Sequence, residues 1–197
     1  MAMDYEVFID QRSKQAIHAD SIQLSADDLN PMLYPFQRDI VRWALAKGRA
    51  AIFADCGLGK TPMQLEWANQ IIKARGGSVL ILAPLTVSVQ TVQEGTKFGV
   101  SVTLCESADD IMPGVNITNY EKLDKFKGCA FEGVVLDESS ILKSFTGATR
   151  NQIIDCFSQT PFRLACTATP APNDFMELGN HSEFLGIMSY TEMLSMF

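Results

Sequence analysis

The sequence predicts an α/β fold: a mostly parallel central sheet with helices on both faces, stacked in three layers. Three observations predict it. Short apolar runs alternate with helical segments along the chain, as the units of a parallel sheet require. One such run, Ala50-Ala51-Ile52-Phe53, leads at once into a glycine-rich turn and a helix start at Ala54 to Thr61. Another, Gly133-Val134-Val135-Leu136, ends in two carboxylates, Asp137 and Glu138, at the sheet edge where open α/β folds bind ligands.

Residues 1–32 are expected to form an accessory segment and 33–197 the folded unit. A short helix is expected over 5–16 and irregular chain over 17–30, where Asp27-Asp28 and Asn30-Pro31 are turn signals. The next helix has an expected apolar stripe of Phe36, Ile40, Trp43 and Ala44, closed by Lys47-Gly48. Ala50 to Phe53 suits a strand buried on both faces. After the glycine-rich turn, Met63, Trp67 and Ile71 recur at helical spacing up to Gly76-Gly77. Val79 to Leu82 reads as the second strand, residues 87–97 as a helix, and 100–104 as the third strand. Residues 109–114 form a loop before a strand over 114–118, and 119–123 looks helical. The strand that ends at Asp137-Glu138 is followed by a helix over 148–157, with Ile153, Ile154 and Phe157 inward. Arg163 to Cys166 is the last strand, and the apolar remainder is expected to be helical.

The stretch ADCGLGKT, Ala54 to Thr61, carries the first chemistry. Between strand and helix it has the form of a phosphate cradle. Glycines let successive N–H groups converge on an anion, and the helix start adds partial positive charge. Asp55, Cys56, Gly57, Leu58 and Gly59 would form the cradle. Lys60 would reach the β- and γ-phosphates, and the Thr61 hydroxyl would be a magnesium ligand. Ala54 stands where the motif usually opens with glycine, and Gly57 can supply the sharp bend instead. Pro62 falls in the first helical turn, where its missing N–H leaves no bond unmade.

Asp137 can hold Mg²⁺, and Glu138 can orient and deprotonate an attacking water. Gln37 can pair with the N6 and N7 edge of adenine, although a polar surface glutamine is the simpler reading. Thr167 and Thr169 end the last strand near the same edge. They can relay hydrogen bonds, or simply form a turn.

Of 197 residues, 47% are hydrophobic and 20% charged, as in an ordinary globular domain rather than a disordered chain. No apolar run approaches a membrane span, the N-terminus lacks a secretory core, and a cytoplasmic location is expected. The five cysteines, Cys56, Cys105, Cys129, Cys156 and Cys166, are scattered without a metal or disulfide pattern. Four should be small core residues and Cys56 a more exposed thiol. His18 and His181 lack ligand partners nearby in sequence. A net charge of −7 weighs against a nucleic-acid partner, although it does not locate a patch. Lys122, Lys125 and Lys127 cluster, either as such a patch or as a solvated face.

Four stretches in order, a glutamine before the first strand, ADCGLGKT, LDES and TATP, resemble the superfamily 2 helicases and translocases. LYPFQRDIVRWAL, APLT, ITNYEKL, VVLDESSILKS and CTATPAPND are most similar to the Swi/Snf-like ATPases, in a branch common in phages and prophages. The resemblance covers about residues 33 to 197. It implies a RecA-like P-loop NTPase lobe, the first motor lobe, with ATP and Mg²⁺ as cofactors and a bacterial or phage-infected cell as setting. It implies adenine recognition by Gln37, phosphate binding by Gly57 to Thr61, and catalytic roles for Lys60, Asp137 and Glu138. It also implies a nucleic-acid path, on DNA in the first instance, along Pro84, Leu85 and Thr86 and along Thr118, Asn119 and Tyr120. Thr167 and Thr169 would couple hydrolysis to movement. The family's second RecA-like lobe, source of its arginine finger, does not follow within these residues. ATP hydrolysis by this lobe alone is therefore expected to be weak, with a second lobe or a partner protein completing the site. Two other readings remain open from the residues: a nucleotide-gated interaction module without catalysis, and a small-molecule P-loop kinase.

Overall fold

All six expected strands form, and every pairing between them is parallel. The computed structural model describes residues 20–143 and 147–196. The helix expected over 5–16, together with His18, lies outside the described residues. The strands are β1 (Arg49–Phe53), β2 (Ser78–Ala83), β3 (Val102–Leu104), β4 (Gly114–Asn119), β5 (Gly133–Asp137) and β6 (Phe162–Thr167), in spatial order β1-β6-β5-β2-β4-β3. The helices are α1 (Pro35–Lys47), α2 (Lys60–Arg75), α3 (Ser88–Lys97), α4 (Ala148–Phe157), α5 (Leu178–Leu185) and α6 (Tyr190–Met196). Residues 120–126 and 139–143 form 3₁₀ turns, the first where a helix was expected.

Side chains alternate along the strands and so build two cores. Ile52, Ile81, Ile117, Val135 and Leu164 pack on one face against Val41 and Leu45 of α1 and Leu65, Trp67 and Ile71 of α2. Leu80, Leu82, Val134, Leu136 and Ala165 pack on the other against Ile153 and Phe157 of α4 and Phe184 and Leu185 of α5. This is the three-layer arrangement. Residues 20–32, expected as an accessory, are joined to the first core through buried Ile22 and Leu29. Asn30 also accepts no slack: its N–H donates to Glu66 Oε1 at 3.0 Å and its side-chain amide to the Phe98 carbonyl at 2.8 Å.

Two expected surfaces are corrected. The inward face of α1 is Gln37, Val41, Ala44 and Leu45, while Phe36 and Trp43 are exposed. Val41, Ala44 and Leu45 pack into the core on the same face that carries Gln37 to the glycine-rich loop, which leaves the aromatic residues outward. β1 is an edge strand paired only with β6, so Phe53 is also exposed rather than buried on both sides. The lysine cluster reads as a solvated face, with Lys122 paired to Glu106 and Lys127 to Asp124. Among the described residues no helix is long and apolar enough to cross a membrane.

Candidate functional site

The sheet order decides which residues meet. β6 is inserted between β1, which feeds the glycine-rich loop, and β5, which ends in the acidic pair. Phe53 is in register with Thr167, and Asp137 with Cys166. The Ala54 N–H donates to the Thr167 carbonyl at 3.1 Å, so the cradle, Thr167 and Asp137-Glu138 stand side by side at the carboxyl edge. A cavity of about 540 Å³ is lined there by Cys56, Gly57, Gly59, Lys60, Thr61, Asp137 and Glu138, with Gln90, Glu94 and Lys97 of α3 as a further wall. That volume suits a nucleotide-sized ligand.

Gly57 and Gly59 both adopt positive φ, 82° and 77°. Around Gly57 an added Cβ would meet nothing within 4 Å, so the loop's inner side is open there. At Gly59 a Cβ would lie 2.3 Å from Gln37 Nε2, so glycine is required by contact as well as by conformation. Gln37 itself is buried. Its Nε2 donates to the Leu58 carbonyl at 3.0 Å, and its Oε1 accepts from the Tyr34 N–H at 2.9 Å. One half of the amide thus braces the loop and the other caps the start of α1. Asp55 closes on its neighbour, accepting from the Cys56 N–H at 2.7 Å. Lys60 Nζ donates to the carbonyls of Ala54 at 2.9 Å and Asp55 at 3.4 Å, which keeps the ammonium over the cradle. Cys56 is exposed, as expected, while Cys105 and Cys166 are buried.

Asp137 is buried, and its Oδ1 accepts from Gln64 Nε2 at 2.7 Å. Burial raises its carboxyl above the ordinary value; Gln64 and Lys60 oppose that shift and Glu138 adds to it. A negative charge held this far from water wants a cation beside it. The donor set, Thr61 hydroxyl, Asp137 carboxylate and cradle amides, fits a magnesium nucleotide. Without the cation the charge is a cost to the fold: a carboxyl raised above 3.8 contributes stability that is lost as pH rises through its folded value. Asp137→Asn removes the charge but keeps an oxygen for Gln64. It is expected to raise the Tm of the metal-free protein at neutral pH by about 2–4 °C, or about 1 kcal/mol. Differential scanning fluorimetry checks this; a lower Tm would mean that the carboxylate is net stabilising.

Glu138 is the only non-glycine residue at positive φ among those described, at 52°. Such backbone strain persists only where neighbours enforce it. The Thr167 hydroxyl lies 3.4 Å from Glu138 Oε2 and accepts from the Thr169 N–H at 3.1 Å, which links the acidic pair to the 167–169 turn. Ser139 Oγ is 3.0 Å from His181 Nε2. His181 is buried edge-on against Phe53, and burial lowers its pKa, which favours the neutral ring.

The two further segments also converge. Ala83 is in register with Asn119, so Pro84-Leu85 and Tyr120 leave adjacent strand ends. They line a groove of about 480 Å³ with Ser140, Ile141 and Lys143. Leu85 and Thr86 are exposed. Thr118 is not: its hydroxyl donates to the Cys105 carbonyl at 2.9 Å inside the sheet. Tyr120 is also turned inward, and Asn119 is buried with its Oδ1 unpartnered. Gln64, His181 and Ser139 were missed by sequence reasoning. Only Gln64 left a signal, as a polar residue one turn beyond Lys60 and so on the same side of the helix.

The sequence matches no family model and no curated protein. Solved structures do match. The SWI2/SNF2 ATPase core of Sulfolobus solfataricus, solved in complex with dsDNA, aligns over 89% of this chain and 41% of its own, at 23% identity and a TM-score of 0.75. The chain has the RecA-like fold. The UvsW helicase of bacteriophage T4 aligns over 96% of this chain and 67% of its own, at 16% identity and a TM-score of 0.65. The Hef helicase domain of Pyrococcus furiosus aligns over 80% and 38%, at 17% identity and a TM-score of 0.66. This RecA-like chain therefore spans less than half the length of the two archaeal proteins.

Proposed function

We propose that this chain is the ATP-binding lobe of an ATP-dependent nucleic-acid helicase or translocase of the Swi/Snf-like type. The observation that carries the reading is the single cavity walled by Lys60 and Thr61 on one side and Asp137 and Glu138 on the other. Thr61 and Asp137 would hold the magnesium, and Lys60 with the loop amides the phosphates. The metal nucleotide supplies an activated phosphoryl group and neutralises charge on its oxygens. Glu138 would accept the proton of the attacking water, and Gln37 would exchange its brace on the loop for the adenine edge.

The likeness to a SWI2/SNF2 core seen with dsDNA supports DNA as the track, carried by the Pro84-Leu85-Thr86 and Asn119-Tyr120 edge through main-chain groups. The serine pair Ser139-Ser140 after the acidic residues supports the phage-type branch. Turnover at a motor's rate would need an arginine from a second RecA-like lobe, in the same polypeptide or a partner, an effect of about 10³ to 10⁵. The reading is tested by titrating the chain with a fluorescent ATP analogue. Binding that requires Mg²⁺ and is displaced by ATP is expected. Binding that is indifferent to Mg²⁺, or no binding at all, would defeat the reading.

A further inference from the structure

Glu138 lines two cavities at once: the one over the phosphate cradle and the groove between Pro84-Leu85 and Asn119-Tyr120. It is therefore a wall shared by the proposed nucleotide site and the proposed nucleic-acid path. Its backbone is strained, at φ 52°, so its orientation depends on what grips the residues either side. Behind it, Ser139 is held by His181. In front of it, the Tyr120 hydroxyl donates to the Asp137 carbonyl at 2.6 Å, from a side chain only 9% exposed. Tyr120 is the first residue beyond β4; it lines the groove, and its hydroxyl reaches the acidic turn.

We propose that Tyr120 is a positioning residue that transmits occupancy of the groove to Glu138, through its hydrogen bond to the Asp137 carbonyl. The proposal rests on the functional reading above. The bond spans the one peptide that joins Asp137 to Glu138, so a shift of the β4 end changes the force on the strained residue. A packed aromatic ring has few alternative positions, and movement at the groove reaches the carbonyl rather than being absorbed by the side chain. Asn119, next to it, also lines the groove and leaves its Oδ1 buried and unpartnered, so the same strand end carries an unmet hydrogen-bond acceptor.

The test is thermodynamic linkage between the two ligands, which must be reciprocal. The Kd of the chain for a fluorescent ATP analogue with Mg²⁺ is measured with and without a saturating short double-stranded DNA. In the wild type, DNA is expected to change that Kd by about five-fold or more, within the usual span of allosteric couplings. Tyr120→Phe keeps the ring and loses the hydroxyl. The mutual effect, read as the ratio of the variant's own Kd for the analogue without and with saturating DNA, should fall below about two-fold, whatever its Kd for either ligand alone. Ser139→Ala loosens the turn from behind without touching β4, and should keep the linkage. Retained linkage in Tyr120→Phe overturns the relay, as does its equal loss in Ser139→Ala, because general loosening would then explain both. Nucleotide and DNA binding without mutual effect in the wild type also overturns it. Failure of the wild type to bind DNA defeats the functional reading itself, and the relay with it.

Discussion

Lys60→Ala is expected to weaken binding of Mg·ATP by about two orders of magnitude while leaving the fold intact. A charged hydrogen bond to phosphate is worth about 1.5–3 kcal/mol, and truncating one partner of such a pair costs more than its mean contribution. Nothing else lining the cradle replaces it: Lys97, the other cation on the cavity, belongs to the far wall on α3. The structural cost is small. In the ligand-free protein Lys60 only caps the Ala54 and Asp55 carbonyls, which water can reach once the side chain is gone. Isothermal titration calorimetry with Mg·ATP, beside a thermal melt, separates the two effects. An affinity within a few-fold of the wild type would remove the loop from the phosphate site.

Glu138→Gln should instead leave ATP affinity within a few-fold and cut hydrolysis by about 10² to 10⁴, the usual worth of a positioned base. The substitution is nearly isosteric and still offers Thr167 an oxygen, so the 167–169 turn keeps its anchor. What disappears is the basicity, at the one non-glycine residue among those described whose backbone is held at positive φ. Single-turnover hydrolysis of radiolabelled ATP over hours can register even slow intrinsic activity. Undiminished product formation would assign the base to another group, while loss of nucleotide binding would make Glu138 a ligand-holding residue instead.

The parts of the site that were legible in the sequence are local ones. ADCGLGKT needs only a strand before it and a helix after it, and both are written in the immediate apolar pattern. Asp137 is the last residue of a five-residue strand buried throughout and Glu138 comes directly after it, so the pair's place at the carboxyl edge was also available from the chain itself. The six strands and the inward Ile153 and Phe157 of α4 follow from period-2 and period-3.6 patterning in the same way. Where reading failed, two patterns were both permitted. Phe36, Ile40 and Trp43 make a respectable helical stripe, but Val41, Ala44 and Leu45 make another. The second stripe is the one that packs on the sheet, and with it Gln37 reaches the Leu58 carbonyl, a contact between residues far apart in sequence.

The sequence by itself determined a parallel α/β sheet, a glycine-rich loop between strand and helix, and an acidic pair at a strand end, because each depends on hydrogen-bonding geometry and burial within a few residues. Tertiary structure alone decided who stands beside whom. Insertion of β6 between β1 and β5 brings Thr167 to Glu138, and the adjacency of β2 and β4 builds the groove. Gln64 meets Asp137, Tyr120 the Asp137 carbonyl, and His181 Ser139 only after the strands are ordered. Strand order is a global minimum over all the packing faces at once. The identity of a tyrosine or histidine records that it will be buried with a polar tip to satisfy, but not which strand end will satisfy it.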